Sequence, residues 1–404
     1  MRRHAPDNRR MSHRTIHLLH ALFAAALFAS TLAAKAQPAT AASAPAVGTS
    51  SAPAATPTAT RPKPTRPAKP AARHKPAKVQ ADHAADIVTY GRRDDVMRAA
   101  ADIAQTQRLD LAWVEAALAR ARYLPSVAKF IMPPPAGTAK NWAAYRSRFV
   151  EPLRIRAGVA FWQQHQSWLD AAQAQYGVPA EIVVAIIGVE TLFGRDMGSF
   201  RVLDALATLA FDFPPGRKDR SEFFRDELAQ FLAWAQSEGV APESVKGSYA
   251  GAIGLGQFMP SSIRRFAVDF DRDGHIDMAG SAADVIGSVA HYLAAFGWKP
   301  GLPTHYAVQP PVDTTDRAAL LLPDILPSFS AAQMAERGAV LSAEGRDHDG
   351  PLALVELHNG AAAPSFVAGS QNFYVVTRYN WSSYYALAVI ELGQAIKAQR
   401  GAAR

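Results

Sequence analysis

From about residue 85 onward, apolar residues recur every three to four positions through VMRAAADIAQTQRLDLAWVEAALARARYL (96–124), the spacing of helices with one buried face, with a break at Leu109–Asp110. The prolines of MPPP (132–135) close that region. WAAYRSRFVEPLRIRAGVAFWQQHQSWLDAAQAQYG then predicts further helices, punctuated by Pro152. Gly177 suits a C-terminal cap, and Pro179 the first turn of the next helix. That helix, PAEIVVAIIGVETLFG, is apolar on nearly every side, the pattern of a buried central element, and Gly194 is its expected end. Further helices are predicted near 201–211 and 219–238, over ADVIGSVAHYLAAFGW, and over YYALAVIELGQAIKAQR. Between about 300 and 375 the pattern changes to Pro, Gly and short β-prone runs, LALVEL and NFYVVTRY among them. The expected class is therefore mainly α (α+β) with a small β insertion at about 300–375, and no repeat of about 20–50 residues is present.

The chain ahead of residue 85 follows other rules. Residues 1–36 read as an export signal: arginines 2, 3, 9, 10 and 14, then the apolar stretch LLHALFAAALFASTLAA, then AKAQ with an A-x-A cleavage site after Ala36. An uncleaved anchor is the alternative, but the stretch is short for a membrane span. Residues 37–84 are a Pro/Ala-rich basic linker with too few apolar groups to pack a core, expected to be disordered. It is either a solvated spacer or a contact with an anionic envelope surface.

Charge changes this picture in one respect. Residues 1–80 carry 13 Lys/Arg and one Asp/Glu, so the +8 of the whole chain leaves −4 for the remainder. The basicity belongs to the N-terminal segment and argues for no nucleic-acid partner. There is no cysteine, which excludes disulfides, a thiolate nucleophile, a Cys-based zinc site and a lipid-accepting Cys. The twelve histidines form no zinc pair, and no Ser–His–Asp order is identifiable.

The candidate chemistry starts at Glu190, a lone carboxylate in IIGVETLFG, which shares one helix face with Ile182 and Ile186. In apolar surroundings the ionised form is disfavoured and the pKa rises, so the group can stay protonated near neutral pH and serve as a general acid. A structural Glu paired with Arg195 or Arg201 is the alternative. KGSYAGAIGLGQFMP (246–260) adds four glycines, which let a ligand approach the backbone, with Ser248 and Gln257 as polar groups suited to a sugar. It lacks the Lys-Ser/Thr pair of a phosphate-binding loop. In DFDRDGHID, Asp269, Asp271, Asp273 and Gly274 match positions 1, 3, 5 and 6 of an EF-hand loop, with His275 at position 7, where the main-chain carbonyl is the ligand. A solvated acidic turn is the alternative. Position 12 is Gly280, not Glu, and the next carboxylate is Asp284.

Taken together, GVETLFG and GSYAGAIGLGQFMPSS, with NWAAYRSRFV, GVAFW, LDALATLAFDFP, DFDRDGHIDM, DVIGSVAHYLAAFGW and FYVVTRYNWSSYYALAV, resemble the membrane-bound lytic transglycosylase B family of lytic murein transglycosylases over roughly residues 85–404. The resemblance implies a goose-type-lysozyme-like core with an added helical domain and a small β domain. It implies cleavage of the β-1,4 bond between N-acetylmuramic acid and N-acetylglucosamine in peptidoglycan, with Glu190 as acid and then base and a 1,6-anhydro sugar as product. It places Ser248, Gln257, Tyr292, Tyr379, Asn380 and Tyr385 along the substrate cleft. A structural calcium ion would be held by Asp269, Asp271, Asp273, His275 and Asp284, in a loop (269–284) one residue longer than the family pattern. No cofactor is expected for the chemistry itself. Peptidoglycan strands are the expected partner, envelope or cell-wall enzymes are further candidates, and the mature protein is expected in the periplasm without a stable membrane span. The competing readings are a hydrolytic muramidase and a non-catalytic peptidoglycan-binding scaffold.

Overall fold

Helix formation follows the caps and apolar faces that the sequence offers. In the computed structural model, residues 89–133 and 140–402 are described, and the proposed signal (1–36) and linker (37–84) lie outside the described residues. Helix α1 (Asp94–Gln107) buries Val96, Ala100, Ile103 and Ala104 at helical spacing. The Asp110 side chain then caps α2 (Leu111–Ala119) by accepting from Trp113 N. Helix α3 (Pro125–Phe130) follows; α1 packs against α2 and α9 (Ser221–Ser237), and α3 against α8 (Val202–Phe211). Asp212 ties this layer to the residues just ahead of α1, accepting from Tyr90 Oη and Arg93 Nη1, each at 2.7 Å.

A second layer forms around α7 (Ala180–Thr191), in which every residue except Glu181 is buried. Helices α4 (Trp142–Phe149), α5 (Pro152–Gln164) and α6 (Gln166–Tyr176) lead into it. Gly177, at φ 69°, caps α6 through its N–H to Gln173 O (2.8 Å), the left-handed role that glycine fills without strain. Against α7 pack α5, α6, α11 (Ala282–Ala295) and α16 (Ser383–Ala402), a long C-terminal helix. The short α10 (Pro260–Phe266) is anchored at its start by buried Glu227 of α9, which accepts from Ser261 Oγ (2.6 Å) and Ser261 N (2.9 Å). Helix α7 stops at Thr191 rather than Gly194, because Leu192, Phe193 and Gly194 are all left-handed (φ 49°, 58° and 87°).

Two sheets, one of two strands and one of four, complete the described fold. β1 (Phe200–Arg201) pairs antiparallel with β2 (Lys246–Gly247) at the entry to the glycine-rich loop. β3 (His305–Gln309), β4 (Val340–Leu341), β5 (Ala353–Asn359) and β6 (Ala362–Gly369) form an antiparallel sheet in the order β4-β3-β6-β5. The short helices α12 (Thr314–Leu321), α13 (Ala331–Glu336) and α14 (Ala343–Arg346) lie between these strands in sequence. The LALVEL run is buried on both faces: Leu352 and Leu354 join a small core with Tyr306 and Met334, while Ala353, Val355 and Leu357 join the main core.

NFYVVTRY, read above as a β-prone run, is instead most of α15 (Gln371–Tyr379). Its Val-Val-Thr triplet favours strand locally, but the capping Ser370 accepts from Asn372 N (3.1 Å). Asn372 in turn bonds Lys299 N and O, both at 2.7 Å, and Leu302 O at 2.8 Å. Tertiary anchoring decides over propensity here. Among the described residues, no single helix is long and apolar enough to cross a membrane.

Candidate active site

Glu190 sits in the last turn of α7, 7% exposed, within the apolar packing that its sequence neighbours dictate. Among the described residues its direct partner is Tyr385 of α16, whose hydroxyl donates to Oε1 at 2.6 Å. Burial pushes the Glu190 carboxyl up from 4.5 to about 8, and the Tyr385 hydrogen bond pulls more weakly the other way. The ion-paired alternative does not hold: Arg201 pairs with Asp204 at 3.4 Å, and Arg195 is exposed.

Three tyrosines surround the carboxyl. Burial, and after it the charge of Glu190, pushes the hydroxyls of Tyr145, Tyr379 and Tyr385 above the ordinary tyrosine range. The Tyr379 and Tyr385 rings lie parallel, 6.4 Å apart at 8°. Tyr145, from α4, is the residue that sequence reasoning missed, although it stands inside the quoted NWAAYRSRFV. Nothing in a helix pattern distinguishes it from a core aromatic, and only the fold brings it to Glu190.

The glycine-rich loop supplies another wall. Its turns are closed by Gly251 N to Ser248 O (3.0 Å) and Gln257 N to Gly254 O (3.2 Å), and it returns to itself at Ile253 and Phe258. Gly254 (φ 74°) cannot be replaced freely, since a β-carbon would collide with the Met278 carbonyl. Gly256 O accepts from the Tyr379 hydroxyl at 2.5 Å, which fixes the loop against α15.

The remaining expected cleft residues divide by role. The Ser248 hydroxyl accepts from Ala252 N (3.0 Å) and Ala250 N (3.3 Å), so it shapes the loop. Gln257 takes a left-handed backbone (φ 51°), uncommon outside glycine, with Nε2 donating to Gly254 O (2.9 Å) and Met197 O (3.2 Å). Tyr292 stands behind Tyr379, ring centroids 5.1 Å apart, and donates to Arg378 O at 2.6 Å. Asn380 differs from all of these. It is 1% exposed, and neither its Oδ1 nor its Nδ2 has a partner. Buried amides are normally satisfied, so both atoms of this one are open to a further hydrogen-bonding group, water included.

The aspartate loop stands beside this wall. Carboxylate oxygens of Asp269, Asp271 and Asp273 lie within 4.8 Å of one another. The turn is held by Gly274 N to Asp269 Oδ2 and His275 N to Asp273 Oδ1, both 2.9 Å, with Gly274 at φ 96°. Three carboxylates so close repel unless a cation lies among them, and an all-oxygen donor set suits Ca²⁺. The His275 ring points away, its Nδ1 3.9 Å from Glu238 Oε2. Asp284 lies outside the three-carboxylate cluster: its oxygens accept from Phe270 N and Asp277 N, each at 2.8 Å, closing the loop through the backbone. The loop end meets the site through Leu255 N, which donates to Met278 O at 2.9 Å.

The family model described as Transglycosylase SLT domain matches residues 92–394. The chain is 43% identical, over 267 residues covering 66% of it and 70% of the relative, to membrane-bound lytic murein transglycosylase B of Escherichia coli strain K12. The catenated lytic transglycosylase SltB1 from Pseudomonas aeruginosa matches with a TM-score of 0.69 at 38% identity, covering 77% of this chain and 99% of that one. The Escherichia coli lytic transglycosylase Slt35 in complex with calcium matches with a TM-score of 0.66 at 37% identity, covering 76% and 94%.

Proposed function

This chain belongs to the transglycosylase SLT domain family of peptidoglycan lyases, and we propose that Glu190 alone carries its proton transfers, with a 1,6-anhydromuramic end as product. The observation that carries this reading is a buried carboxyl with a pKa near 8 whose direct partner is a tyrosine, not a second carboxylate. A protonated Glu190 gives its proton to the glycosidic oxygen as the C1–O bond breaks. The resulting carboxylate then takes the proton of the muramic C6 hydroxyl while that oxygen bonds to C1. Proton and electron pair balance, and Glu190 ends protonated as it began. The nucleophile comes from the substrate, so an enzyme carboxylate at glycosidase separations is not needed, and proximity supplies much of the acceleration.

In this reading Tyr145, Tyr379 and Tyr385 wall the reacting sugar, and Asn380 offers both amide atoms to it. Ser248, Gln257 and Tyr292 act mainly by holding the loop and Tyr379 in place. The glycan backbone of peptidoglycan is the substrate, so the site of action is the cell envelope. Export through residues 1–36 and a periplasmic location fit that site.

A pH–rate profile tests the acid assignment. Turnover is expected to fall as pH rises through about 8, where Glu190 loses its proton. In Tyr385→Phe the hydrogen bond that lowers the pKa is gone, so the descending limb is expected at higher pH, with turnover reduced about tenfold by lost orientation. A limb that stays put or moves to lower pH would contradict the assignment.

Asp269, Asp271 and Asp273 would hold Ca²⁺, with the His275 carbonyl as a further ligand and Asp284 closing the loop. The ion would supply charge balance and rigidity beside the glycine-rich loop, taking no part in the chemistry. Calcium is expected to raise the thermal midpoint and EDTA to lower it, since a ligand bound only by the native state stabilises that state. Asp271→Ala should abolish the difference. Equal midpoints in calcium and EDTA for the unmodified protein would remove the metal from the account.

A further inference from the structure

Thr191 follows the acid directly and is buried, yet the chemistry assigns it no part. Its hydroxyl has two strong contacts. It donates to Leu255 O, 64 residues away in the glycine-rich loop, at 2.9 Å, and accepts from Gly194 N at 3.0 Å. The carbonyl one helical turn back, Ile187 O, is farther at 3.3 Å, so the bond between elements is the shorter one. Gly194 N comes within reach because Leu192, Phe193 and Gly194 all take left-handed backbone. Two of these are not glycine, a conformation that persists only where surrounding contacts enforce it. The chain thus doubles back immediately after the acid and closes on the Thr191 oxygen.

These contacts complete a circuit. Leu255 precedes Gly256, whose carbonyl accepts from Tyr379. Tyr379 stacks on Tyr385, and Tyr385 donates to Glu190. The Thr191–Leu255 bond joins the last residue of α7 itself to the loop, while Gln257 Nε2 to Met197 O (3.2 Å) ties the loop to the segment beyond the helix.

We propose that Thr191 is the positioning residue of the acid, its hydroxyl latching the C-terminus of α7 onto the glycine-rich loop so that Glu190 is held at one depth in the cleft. This rests on Glu190 being the acid. Removing the latch lets the helix end and the loop separate. The carboxyl then loses its alignment with the glycosidic oxygen and gains water. Tyr385 of α16, Tyr379 of α15 and Tyr145 of α4 face that carboxyl. Tyr292 of α11 stands behind them, and from α5 Arg154 donates to Gly188 O at 3.0 Å. None of these would replace the lost tie, because none bonds both α7 and the loop.

The test compares Thr191→Val, Thr191→Ala and Thr191→Ser on soluble peptidoglycan fragments, with Glu190→Gln in parallel. Val keeps the shape without the hydroxyl, Ala removes both, and Ser keeps the hydroxyl. Val and Ala are expected to lower kcat about 10–100-fold, the scale of a small misplacement at a reacting centre, with KM within about twofold. Their alkaline limb should move to lower pH, since a wetter carboxyl ionises earlier. Ser should stay within about threefold of the unmodified protein with an unmoved limb. If Val is poorly folded by thermal melting, Ala carries the same test. A kcat near the unmodified value in Val or Ala, or an equal loss in Ser, overturns the latch. An active Glu190→Gln would overturn the acid assignment instead, so the two failures are distinguishable.

Discussion

Glu190→Gln is expected to lower turnover on purified sacculi by about 10³-fold or more, toward the upper part of the range for losing a positioned general acid. The amide keeps the shape and can still accept from Tyr385, so the pocket and substrate binding should survive. A second effect has a defined sign. Glu190 has a folded pKa of about 8 against an ordinary 4.5, so the unfolded chain releases this proton first. The stability associated with the buried neutral acid is fully present below pH 4.5 and is lost progressively as pH rises to about 8. Gln has no proton to lose, so the variant should be less sensitive to pH over that window. Thermal melts at three pH values across it would show this, alongside the activity loss. A variant that is inactive yet keeps the parent's pH dependence of stability would mean that Glu190 is not the buried neutral acid.

Asn380→Leu is expected to move function and stability in opposite directions. Both amide atoms of Asn380 are buried without partners, and an unsatisfied buried polar group costs about 1–3 kcal/mol. A near-isosteric apolar side chain removes that cost, so the thermal midpoint should rise. Among the described residues, this amide next to Tyr379 in the chain has both donor and acceptor unused. Its loss should therefore lower kcat/KM about 100-fold, close to the cost of a lost hydrogen bond to a charged or developing-charge centre. A stabilised variant with full activity would show that the amide serves neither substrate nor fold, and a destabilised one would place its role in the fold.

Sequence and structure agree where local rules are strong and part where tertiary contacts intervene. The apolar run of α7 announced a buried helix, and the lone carboxylate in it announced a raised pKa. Both are properties of one short segment. Its end lies three residues before Gly194, the usual kind of helix stop, because Leu192 and Phe193 take the left-handed turn first under constraint from Thr191 and Gly194. NFYVVTRY departs from its local pattern because β-branched residues speak for strand, whereas Asn372 and its distant partners Lys299 and Leu302 hold it as a helix. Tyr145 was invisible as a site residue, since a tyrosine on a helix becomes functional only through what the fold sets opposite it. The aspartate spacing was legible residue by residue. What it left open was the work of Asp284, which the folded loop directs to the amides of Phe270 and Asp277.

The central claim is that one carboxyl and a hydroxyl of the substrate complete the reaction without a water nucleophile. Mass analysis of the muropeptides released from purified sacculi tests it most directly. The account predicts 1,6-anhydromuramic ends, absent when Glu190→Gln replaces the unmodified protein. Products heavier by one water, with reducing muramic ends, would contradict it.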